Sequence, residues 1–452
     1  MAVKRKAVNS NNPSWISESF SLKNVENHLE FLIGGIPISE IVKVVPTPFF
    51  IYDAGTIKAQ YDRLKKAMSP HGIEIYYSMK ANSSLAVVQG LTLLGSGLEI
   101  ASLGELMVAK KVGAHPKKVS FAGPVKSEEE LLAAIDWGIG TINVESETEF
   151  YRINELAGKR GVKQKVGIRI NPKKEVEGAG GLMGGGPRKF GIDDEKVTPE
   201  FLAKIVRLPN IDLVGVHVFA ATQMLNTQAF LDNLKNVCAI AQRINKTVPL
   251  EYIDMGGGLG IPYQADQQSL PLDNISSVIE ETLKSFDFIK KGNIKLFIEP
   301  GRFLVGPCGI YIVTVDHVKQ SRGKDFLMVN GGWHQMMRPA PKMPFGSHPI
   351  YNLSKLNEPL DTKAEIAGPL CTPIDQLGTE VPIPKGSKEG DLIGIFNAGA
   401  YGRSQSPLEF LSHAKPAEVI VGKGKFVVVR EAQHPRELLK NQIIPSENLF
   451  IN

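Results

Sequence analysis

Short β-rich runs alternate with longer amphipathic stretches between about residues 74 and 301, and this alternation restricts the possible folds more than any other feature. Eight runs predict strands: Glu74–Tyr77, Gly97–Ala101, Val119–Ala122, Thr141–Val144, Val166–Ile170, Leu213–Val218, Tyr252–Met255 and Lys295–Ile298. Helical patterns such as Ser127–Trp137, Glu147–Lys159 and Phe230–Ile244 lie between them. Eight strands alternating with helices predict an α/β protein with a (β/α)8 TIM barrel, and a doubly wound sheet is the alternative.

Residues suited to chemistry follow these strands directly. They are Lys80, Ser102, Gly123, Glu145, Asn171, Phe219, Gly256 and Glu299. Barrel enzymes carry their sites at the carboxyl ends of the strands, whereas a doubly wound sheet does not normally contribute residues from every strand. The pattern therefore favours the barrel and predicts an active site at that end.

The texture of the sequence changes after Arg302, where strands separated by Gly/Pro turns replace the helices. The predicted strands are Gly309–Val318, Phe326–Val329, Thr362–Ala367, Asp391–Phe396, Ala417–Val421 and Lys425–Val429. We predict three parts: a segment 1–45 packing on the β domain, a barrel at 46–304 and an all-β domain at 305–452. The Gly-rich loop 178–187 lacks the Gly-Lys-Ser/Thr ending of a nucleotide P-loop, and we interpret it as a lid or substrate loop.

Composition and charge exclude several classes of function. The net charge of +5 comes from dispersed basic residues rather than a stripe, which argues against a nucleic-acid partner. Three cysteines without a C-x-x-C pair argue against a disulfide scaffold or a zinc site, and we expect no metal. The polar first fifteen residues predict no secretory signal, and the longest apolar stretch, 211–221, is too short to span a bilayer. We expect a cytoplasmic protein without a membrane partner.

Three separated motifs together indicate pyridoxal phosphate. Lys80 follows a predicted strand, and a partly desolvated amine there is a good carbonyl nucleophile. The run 254–260, Asp-Met-Gly-Gly-Gly-Leu-Gly, predicts a backbone cradle for a phosphate. Glu299 and Arg302 place a carboxylate and a guanidinium in fixed register. A Schiff-base lysine, a phosphate nest and an acid for a pyridinium are what this cofactor requires from a protein.

The order of these motifs resembles that of the fold-type III pyridoxal phosphate decarboxylases, the group of diaminopimelate, ornithine and arginine decarboxylases. The resemblance covers nearly the whole chain, through the motifs 47–53, 78–82, 101–106, 189–191, 256–260, 299–302, 368–371 and 399–402. It implies an alanine racemase-like barrel, a pyridoxal phosphate-dependent carboxy-lyase, and a homodimer with shared active sites.

The resemblance also implies roles for individual residues. Lys80 would bind the cofactor as a Schiff base, and Glu299 would hydrogen-bond its pyridine nitrogen. Phe219 would stack on the ring in place of the family's histidine, with His217 in a supporting position. Cys371, from the partner subunit, would return a proton after carbon dioxide leaves. The remaining predicted contacts are to the cofactor for Thr222, Gly256, Gly257, Gly258 and Gly301, to cofactor and substrate for Arg302 and Tyr401, and to substrate for Arg338 and Thr372.

The residue after Cys371 bears on the substrate. Diaminopimelate and ornithine decarboxylases usually carry an acid there, which pairs with the distal ammonium, whereas this chain has Thr372. The segments 368–375 and 407–413 resemble a specialised branch that includes the glutamyl carrier-protein decarboxylase of butirosin biosynthesis and siderophore-pathway decarboxylases of citryl–amino acid conjugates. We expect an α-decarboxylase of a side-chain-modified or carrier-bound amino acid. The alternatives are a diaminopimelate or ornithine decarboxylase, an amino-acid racemase and a non-catalytic regulator.

Overall fold

The computed structural model describes residues 20–25, 28–264, 266–337, 348–447 and 449. They form two compact units. The barrel unit comprises residues 53–309 and 399–404, and the β unit comprises the described parts of 20–52, 310–398 and 405–452. Across the described ranges, none of the helices has the length and apolar character needed to cross a membrane.

The N-terminal elements belong to the β unit. They are β1 (Phe20–Val25), β2 (His28–Ile33), β3 (Ile36–Pro37), α1 (Ile38–Val44) and β4 (Phe49–Asp53). The first three strands form an antiparallel sheet. Every residue of β4 is buried, including Asp53, and β4 joins the main sheet of the β unit. The barrel domain was predicted to begin at residue 46, whereas the barrel unit begins at residue 53. The boundary differs because a run of apolar residues does not indicate which sheet its strand joins.

The barrel unit contains all eight predicted barrel strands. They are β5 (Ile73–Ser78), β6 (Gly97–Ile100), β7 (Val119–Phe121), β8 (Thr141–Val144), β9 (Gln164–Asn171), β12 (Ile211–His217), β14 (Tyr252–Asp254) and β15 (Lys295–Ile298), with the short strands β10 (Gly181–Leu182), β11 (Ile192–Asp193) and β13 (Ala221–Thr222) in its loops. Each barrel strand pairs in parallel with the next, and β15 pairs with β5. The sheet therefore closes, and the predicted TIM barrel is confirmed.

The barrel unit also contains helices, of which the first precedes the first barrel strand and the others come after barrel strands. They are α2 (Ala54–Met68), α3 (Leu85–Leu93), α4 (Leu103–Lys111), α5 (Glu128–Trp137), α6 (Glu147–Lys159), α7 (Pro199–Ile205), α8 (Thr227–Asn245), α9 (Leu272–Lys284), α10 (Asp287–Lys291) and α11 (Arg302–Val305). Ser102, Ser127 and Ser146 accept hydrogen bonds from the third helical amide of α4, α5 and α6, which fixes where each helix begins. The strand ends therefore face loops of defined geometry.

Aromatic side chains fill part of the barrel core. Tyr76, Val214, Tyr252 and Phe297 form one buried cluster, in which the Phe297 ring centroid lies 4.5 Å from that of Tyr76. The Tyr252 ring fits because Gly215 has no side chain: a Cβ there would lie 2.1 Å from the ring. The barrel is thus a packed core that leaves its strand ends for the site.

The rest of the β unit is built from strands. They are β16 (Gly309–Ser321), β17 (Lys324–Val329), β18 (Ile350–Asn352), β19 (Thr362–Ala367), β20 (Gln376–Ile383), β21 (Leu392–Ile395), β22 (Ala417–Gly422) and β23 (Lys425–Arg430). The main sheet has the order β20-β19-β17-β16-β4-β22-β23, and β21 pairs with β16 and β18. The predicted β-rich C-terminal domain is confirmed.

Candidate active site

A small pocket lies at the carboxyl ends of the barrel strands. Its lining includes nine residues for which the sequence predicted a cofactor contact: Lys80, Phe219, Thr222, Gly257, Gly258, Glu299, Gly301, Arg302 and Tyr401. The fold therefore brings together residues that are up to 321 positions apart in sequence, and all of them belong to the barrel unit.

The turn that carries Lys80 is held by the segment 399–404. Lys80 lies two residues beyond the end of β5. The Tyr401 amide donates to the Ala81 carbonyl at 2.8 Å, and the Asn82 side chain donates to the Gly399 carbonyl at 3.0 Å. Tyr401 was predicted to come from the second domain, whereas these bonds place it in the barrel unit.

Lys80 is paired with a buried carboxylate. Its Nζ lies 3.4 Å from Glu99 Oε2 and 5.2 Å from the Phe219 ring centroid. Glu99 also accepts a hydrogen bond from the Ser78 hydroxyl. Burial lowers the pKa of Lys80, but the electrostatic effects of Glu99, Tyr401 and Glu299 together outweigh burial, so the net shift is upward. Without the cofactor, Lys80 is therefore an ammonium ion at neutral pH. Its side chain is 39% exposed.

Glu299 presents one paired and one unpaired oxygen. It follows β15, and its Oε2 lies 3.0 Å from Nε2 of the buried His217. Its Oε1 is buried and has no hydrogen-bond partner among the described residues. Burial raises the pKa of Glu299, but His217 and then Lys80 lower it, to about 2 overall. Glu299 is thus an ionised carboxylate, and its Oε1 is available to accept a hydrogen bond.

Asp254 lies beside Glu299, and its pKa is shifted in the opposite direction. One oxygen of each carboxylate lies within 4.8 Å of the other, and Asp254 Oδ1 accepts a hydrogen bond from the Gly256 amide at 2.9 Å. Burial, together with the charge of Glu299, raises the pKa of Asp254 well above its ordinary range. Asp254 is therefore the carboxyl of the pair that is protonated more easily, and it supports the loop 256–260 after β14.

The glycines of the loop after β14 leave no room for side chains. A Cβ on Gly257 would lie 2.3 Å from the Glu299 carbonyl oxygen, and one on Gly258 would lie 2.3 Å from that of Ala221. Gly258 also has φ +99°, a conformation that L side chains rarely adopt. Within the described ranges, the amides of Gly257, Gly258 and Gly301 donate to no other group. They form a lining of free donors, as anion-binding backbone nests do.

Arg302 is held between two phenol rings. Its guanidinium carbon lies 4.9 Å from the Tyr401 ring centroid and 5.7 Å from that of Tyr263. Its Nη1 donates to the Tyr263 hydroxyl at 2.9 Å. Sequence reasoning missed Tyr263, because a tyrosine in a Gly/Pro loop carries no signal of its own. The two rings fix the guanidinium at the pocket wall.

These residues fit pyridoxal phosphate. The unpaired Oε1 of Glu299 suits a protonated ring nitrogen, because a buried acceptor without a partner is costly and the ring N–H would satisfy it. The free glycine amides suit a phosphate, and the accessible amine of Lys80 suits an aldehyde.

The substrate-side residues Cys371 and Thr372 lie in the β unit. Cys371 is exposed and Thr372 is half-buried. Their loop is fixed by Asp375, whose two carboxylate oxygens accept the Trp333 and Leu370 amides, each at 2.6 Å. Arg338, also predicted to contact substrate, lies outside the described residues.

Comparison with known proteins identifies the family. The family model for the pyridoxal-binding domain of pyridoxal-dependent decarboxylases matches residues 54–306. The chain belongs to this family. It is therefore a pyridoxal phosphate-dependent decarboxylase acting on an amino acid. This assignment replaces the alternatives of a racemase and a non-catalytic regulator. The predicted family and enzyme class are confirmed.

Individual relatives cover nearly the whole chain. The L-glutamyl-[BtrI acyl-carrier protein] decarboxylase of Niallia circulans is 33% identical over 424 residues, covering 91% of this chain and 97% of the relative. The diaminopimelate decarboxylase of Methanothermobacter thermautotrophicus is also 33% identical, covering 94% and 98%. The structure of M. jannaschii diaminopimelate decarboxylase with L-lysine has a TM-score of 0.86 at 29% identity, covering 95% and 98%. Overall identity thus does not separate the two substrate classes.

The Gly-rich loop is ordered by hydrogen bonds. Its strand β10 pairs with β13, so that Gly181 faces Thr222, and the Met183 amide donates to the Ala220 carbonyl at 2.8 Å. The lid role stays a prediction. The pairing places the loop against the segment that supplies Thr222 to the pocket.

Proposed function

We propose that this decarboxylase acts on an amino acid whose side chain is modified or bound to a carrier protein. The observation that carries the proposal is Thr372, a neutral residue directly after Cys371. A distal ammonium in a partly dry site needs a carboxylate partner, and a charge-assisted pair contributes about 1.5–3 kcal/mol. An enzyme for free diamino acids would be expected to keep that carboxylate.

The nearest acid in the same loop does not substitute for it. Asp375 is only 3% exposed, and each of its oxygens already accepts a backbone amide. Burial, opposed by those two amides and by His413, raises the pKa of Asp375. Turning this carboxylate toward a substrate would leave the Trp333 and Leu370 amides without their acceptors. Asp375 is therefore better suited to holding the Cys371 loop than to pairing with an ammonium.

The relatives support both candidate substrate classes. The name of the Niallia circulans relative describes a carrier-bound glutamyl substrate, and several other relatives are named diaminopimelate decarboxylases. Thr372 favours the first class for this chain. Diaminopimelate or ornithine remains the second candidate.

The chain's own residues divide the work of the reaction. When bound, pyridoxal phosphate supplies an electron sink for the electron pair released as the bond to carbon dioxide breaks. Lys80 would hold the cofactor covalently, and the free amides of Gly257, Gly258 and Gly301 would bind its phosphate. Gly256, Thr222, Arg302 and Tyr401 would complete the phosphate and substrate contacts.

Three further residues would act on the cofactor ring or on the substrate. Glu299 would accept the ring N–H and keep that nitrogen protonated, because the ionised carboxylate favours the cationic ring. Phe219 would pack on the ring face. The Cys371 thiol, supplied by the second subunit of a homodimer, would donate a proton to the substrate Cα and so replace the lost carboxylate.

A mass-spectrometric screen for loss of carbon dioxide tests the substrate proposal. Three substrate sets are compared: free meso-diaminopimelate, ornithine and lysine; glutamyl and other aminoacyl groups on a carrier protein; and citryl–amino acid conjugates. We expect turnover in the second or third set and poor turnover in the first.

The matched variant is Thr372→Glu, which restores the missing charge. It should raise kcat/KM toward ornithine or diaminopimelate by roughly ten- to a hundredfold, the equivalent of one charge-assisted pair, while Thr372→Gln, of the same size, should not. Efficient turnover of a free diamine by the wild-type enzyme would contradict the specialised substrate and leave the decarboxylase class intact.

A further inference from the structure

Gln223 forms a side-chain clasp between two loops of the barrel unit. It lies directly after Thr222, is 4% exposed and has φ +58°, which is uncommon for a residue with a side chain. Its Nε2 donates to the Ile261 carbonyl, and its Oε1 accepts from the Ile261 amide at 3.4 Å. One side-chain amide thus pairs with both backbone groups of Ile261.

The clasp continues as backbone hydrogen bonds on the glycine loop. The Met224 amide donates to the Gly258 carbonyl at 2.8 Å, and the Gly260 amide donates to the Met224 carbonyl at 2.9 Å. Gly258 supplies a free amide to the pocket, and Gly260 packs closely on the segment because a Cβ would lie 3.0 Å from the Met224 carbonyl oxygen. The segment 223–224 therefore sets the position of the loop 258–261.

Gln223 also joins the clasp to the Gly-rich loop. Its carbonyl accepts the Gly180 amide at 3.3 Å, next to the β10–β13 pairing. The Gly-rich loop, the segment 220–224 and the glycine loop are consequently linked by hydrogen bonds in one continuous ladder. Gln223 is the member of the ladder that bonds to both neighbours.

We propose that Gln223 is a positioning residue that keeps the amides of the glycine loop in register for the cofactor phosphate. The proposal rests on the proposed role of that loop as the phosphate site. A backbone nest binds an anion only when its N–H groups converge, and the clasp supplies the restraint that a short, glycine-rich loop lacks. Gln223 itself does not line the pocket, so it acts through Gly258.

The test measures cofactor binding by the full-length protein rather than turnover. Gln223→Met keeps the side-chain length and removes both hydrogen bonds, and Gln223→Gly removes them while accommodating the positive φ. Pyridoxal phosphate is titrated into the cofactor-free protein and followed by absorbance, and the bound phosphate is observed by 31P NMR. The matched control is Gln228→Met, since Gln228 is exposed on α8 and bonds to Asp232.

We expect both Gln223 variants to bind pyridoxal phosphate about tenfold more weakly, the equivalent of one lost hydrogen bond, and to shift or broaden the 31P resonance. Gln228→Met should match the wild type. Unchanged affinity and an unchanged resonance in the Gln223 variant that folds would overturn the proposal, even if its melting temperature falls. Failure of the wild type to bind the cofactor would instead overturn the proposed function.

Discussion

Two buried carboxylates of the site have different tasks because their partners differ. Glu99 faces the Lys80 amine and stabilises its positive charge. Glu299 is hydrogen-bonded to His217 through one oxygen, and its other oxygen has no partner among the described residues. A carboxylate already paired with an amine is a poor acceptor for a ring N–H, whereas an unpaired one is a good acceptor. The arrangement therefore separates holding the lysine from polarising the cofactor.

Replacing Lys80 tests the covalent attachment. Lys80→Ala should abolish the adduct with pyridoxal phosphate that borohydride traps, and turnover with it, because the accessible amine at the pocket is removed. Mass spectrometry of the reduced protein locates the adduct. Lys58→Ala, on the exposed face of α2, should retain it. A reduced adduct of normal yield in Lys80→Ala would disprove the assignment.

The raised pKa of Lys80 predicts a pH dependence of cofactor loading. Burial lowers this pKa, and Glu99, with smaller contributions from Tyr401 and Glu299, raises it by more in total, so the amine is protonated at pH 7. Only the neutral amine adds to an aldehyde, and its fraction rises tenfold per pH unit below the pKa. The initial rate of adduct formation by the cofactor-free protein should therefore increase from pH 7 to pH 9.

Removing the charge of Glu99 should shift that profile. Glu99→Gln keeps an acceptor for Ser78 but loses the negative charge, so the pKa of Lys80 should fall and loading at pH 7 should accelerate about tenfold. Stopped-flow absorbance gives the rates, and Glu155→Gln, an exposed carboxylate on α6, is the control. A profile for Glu99→Gln that coincides with the wild type would show that Glu99 does not control the amine.

At this scale the sequence predicts residues whose type and position both carry a signal. Lys80 and Glu299 stand out because each follows a strand. Gln223 and Tyr263 do not, since their contacts depend on which loops the folded barrel brings together.

The strands and loops show a similar division. The eight barrel strands were predictable because each is a short buried run between amphipathic helices. The strand β20 was not predicted, because its pattern of exposed Thr and Glu and its Pro382 is that of a sheet edge rather than a buried run. The three-residue strand β18 is too short to show a period. Pattern therefore misses strands that are polar or very short, whereas β23, at the other edge of the main sheet, was predicted from its apolar run.

Substitution of Gly257 tests the glycine loop as an element. Its φ is not in the left-handed region, so Gly257→Ala adds only the clash of its Cβ with the Glu299 carbonyl oxygen at 2.3 Å. We expect loss of pyridoxal phosphate binding and destabilisation of about 1–3 kcal/mol, typical of overpacking. Titration with the cofactor and denaturant unfolding measure the two effects.

The control for this clash is Gly90→Ala in α3, where a Cβ would meet nothing within 4 Å. That change should leave cofactor binding unaltered and raise stability slightly, because alanine favours a helix. If Gly257→Ala binds the cofactor as well as Gly90→Ala does, the glycine loop is not the close-fitting phosphate cradle proposed above.

At the scale of the whole molecule, the chain passes between the two units more often than the sequence suggests. Residues 20–52 group with the β unit and residues 399–404 with the barrel unit, whereas the predicted boundaries lie only after residues 45 and 304. The reason is that hydrogen bonds such as Tyr401 to Ala81 are backbone contacts between distant segments. Backbone contacts of this kind leave no compositional trace. The change from α/β to all-β texture was nonetheless enough to predict the two architectures.

A mixing experiment tests the proposed homodimer with shared sites. Lys80 belongs to the barrel unit and Cys371 to the β unit. The family resemblance implies that each site takes its Lys80 from one subunit and its Cys371 from the other. Lys80→Ala and Cys371→Ala should each be inactive alone. Random exchange makes half of the dimers heterodimers with one intact site, so activity should recover to about a quarter of the wild type. Mixing Lys80→Ala with the double variant Lys80→Ala/Cys371→Ala is the control, since no pairing of these chains restores a site. No recovery after subunit exchange has been verified by mass spectrometry would mean that each subunit builds its site alone.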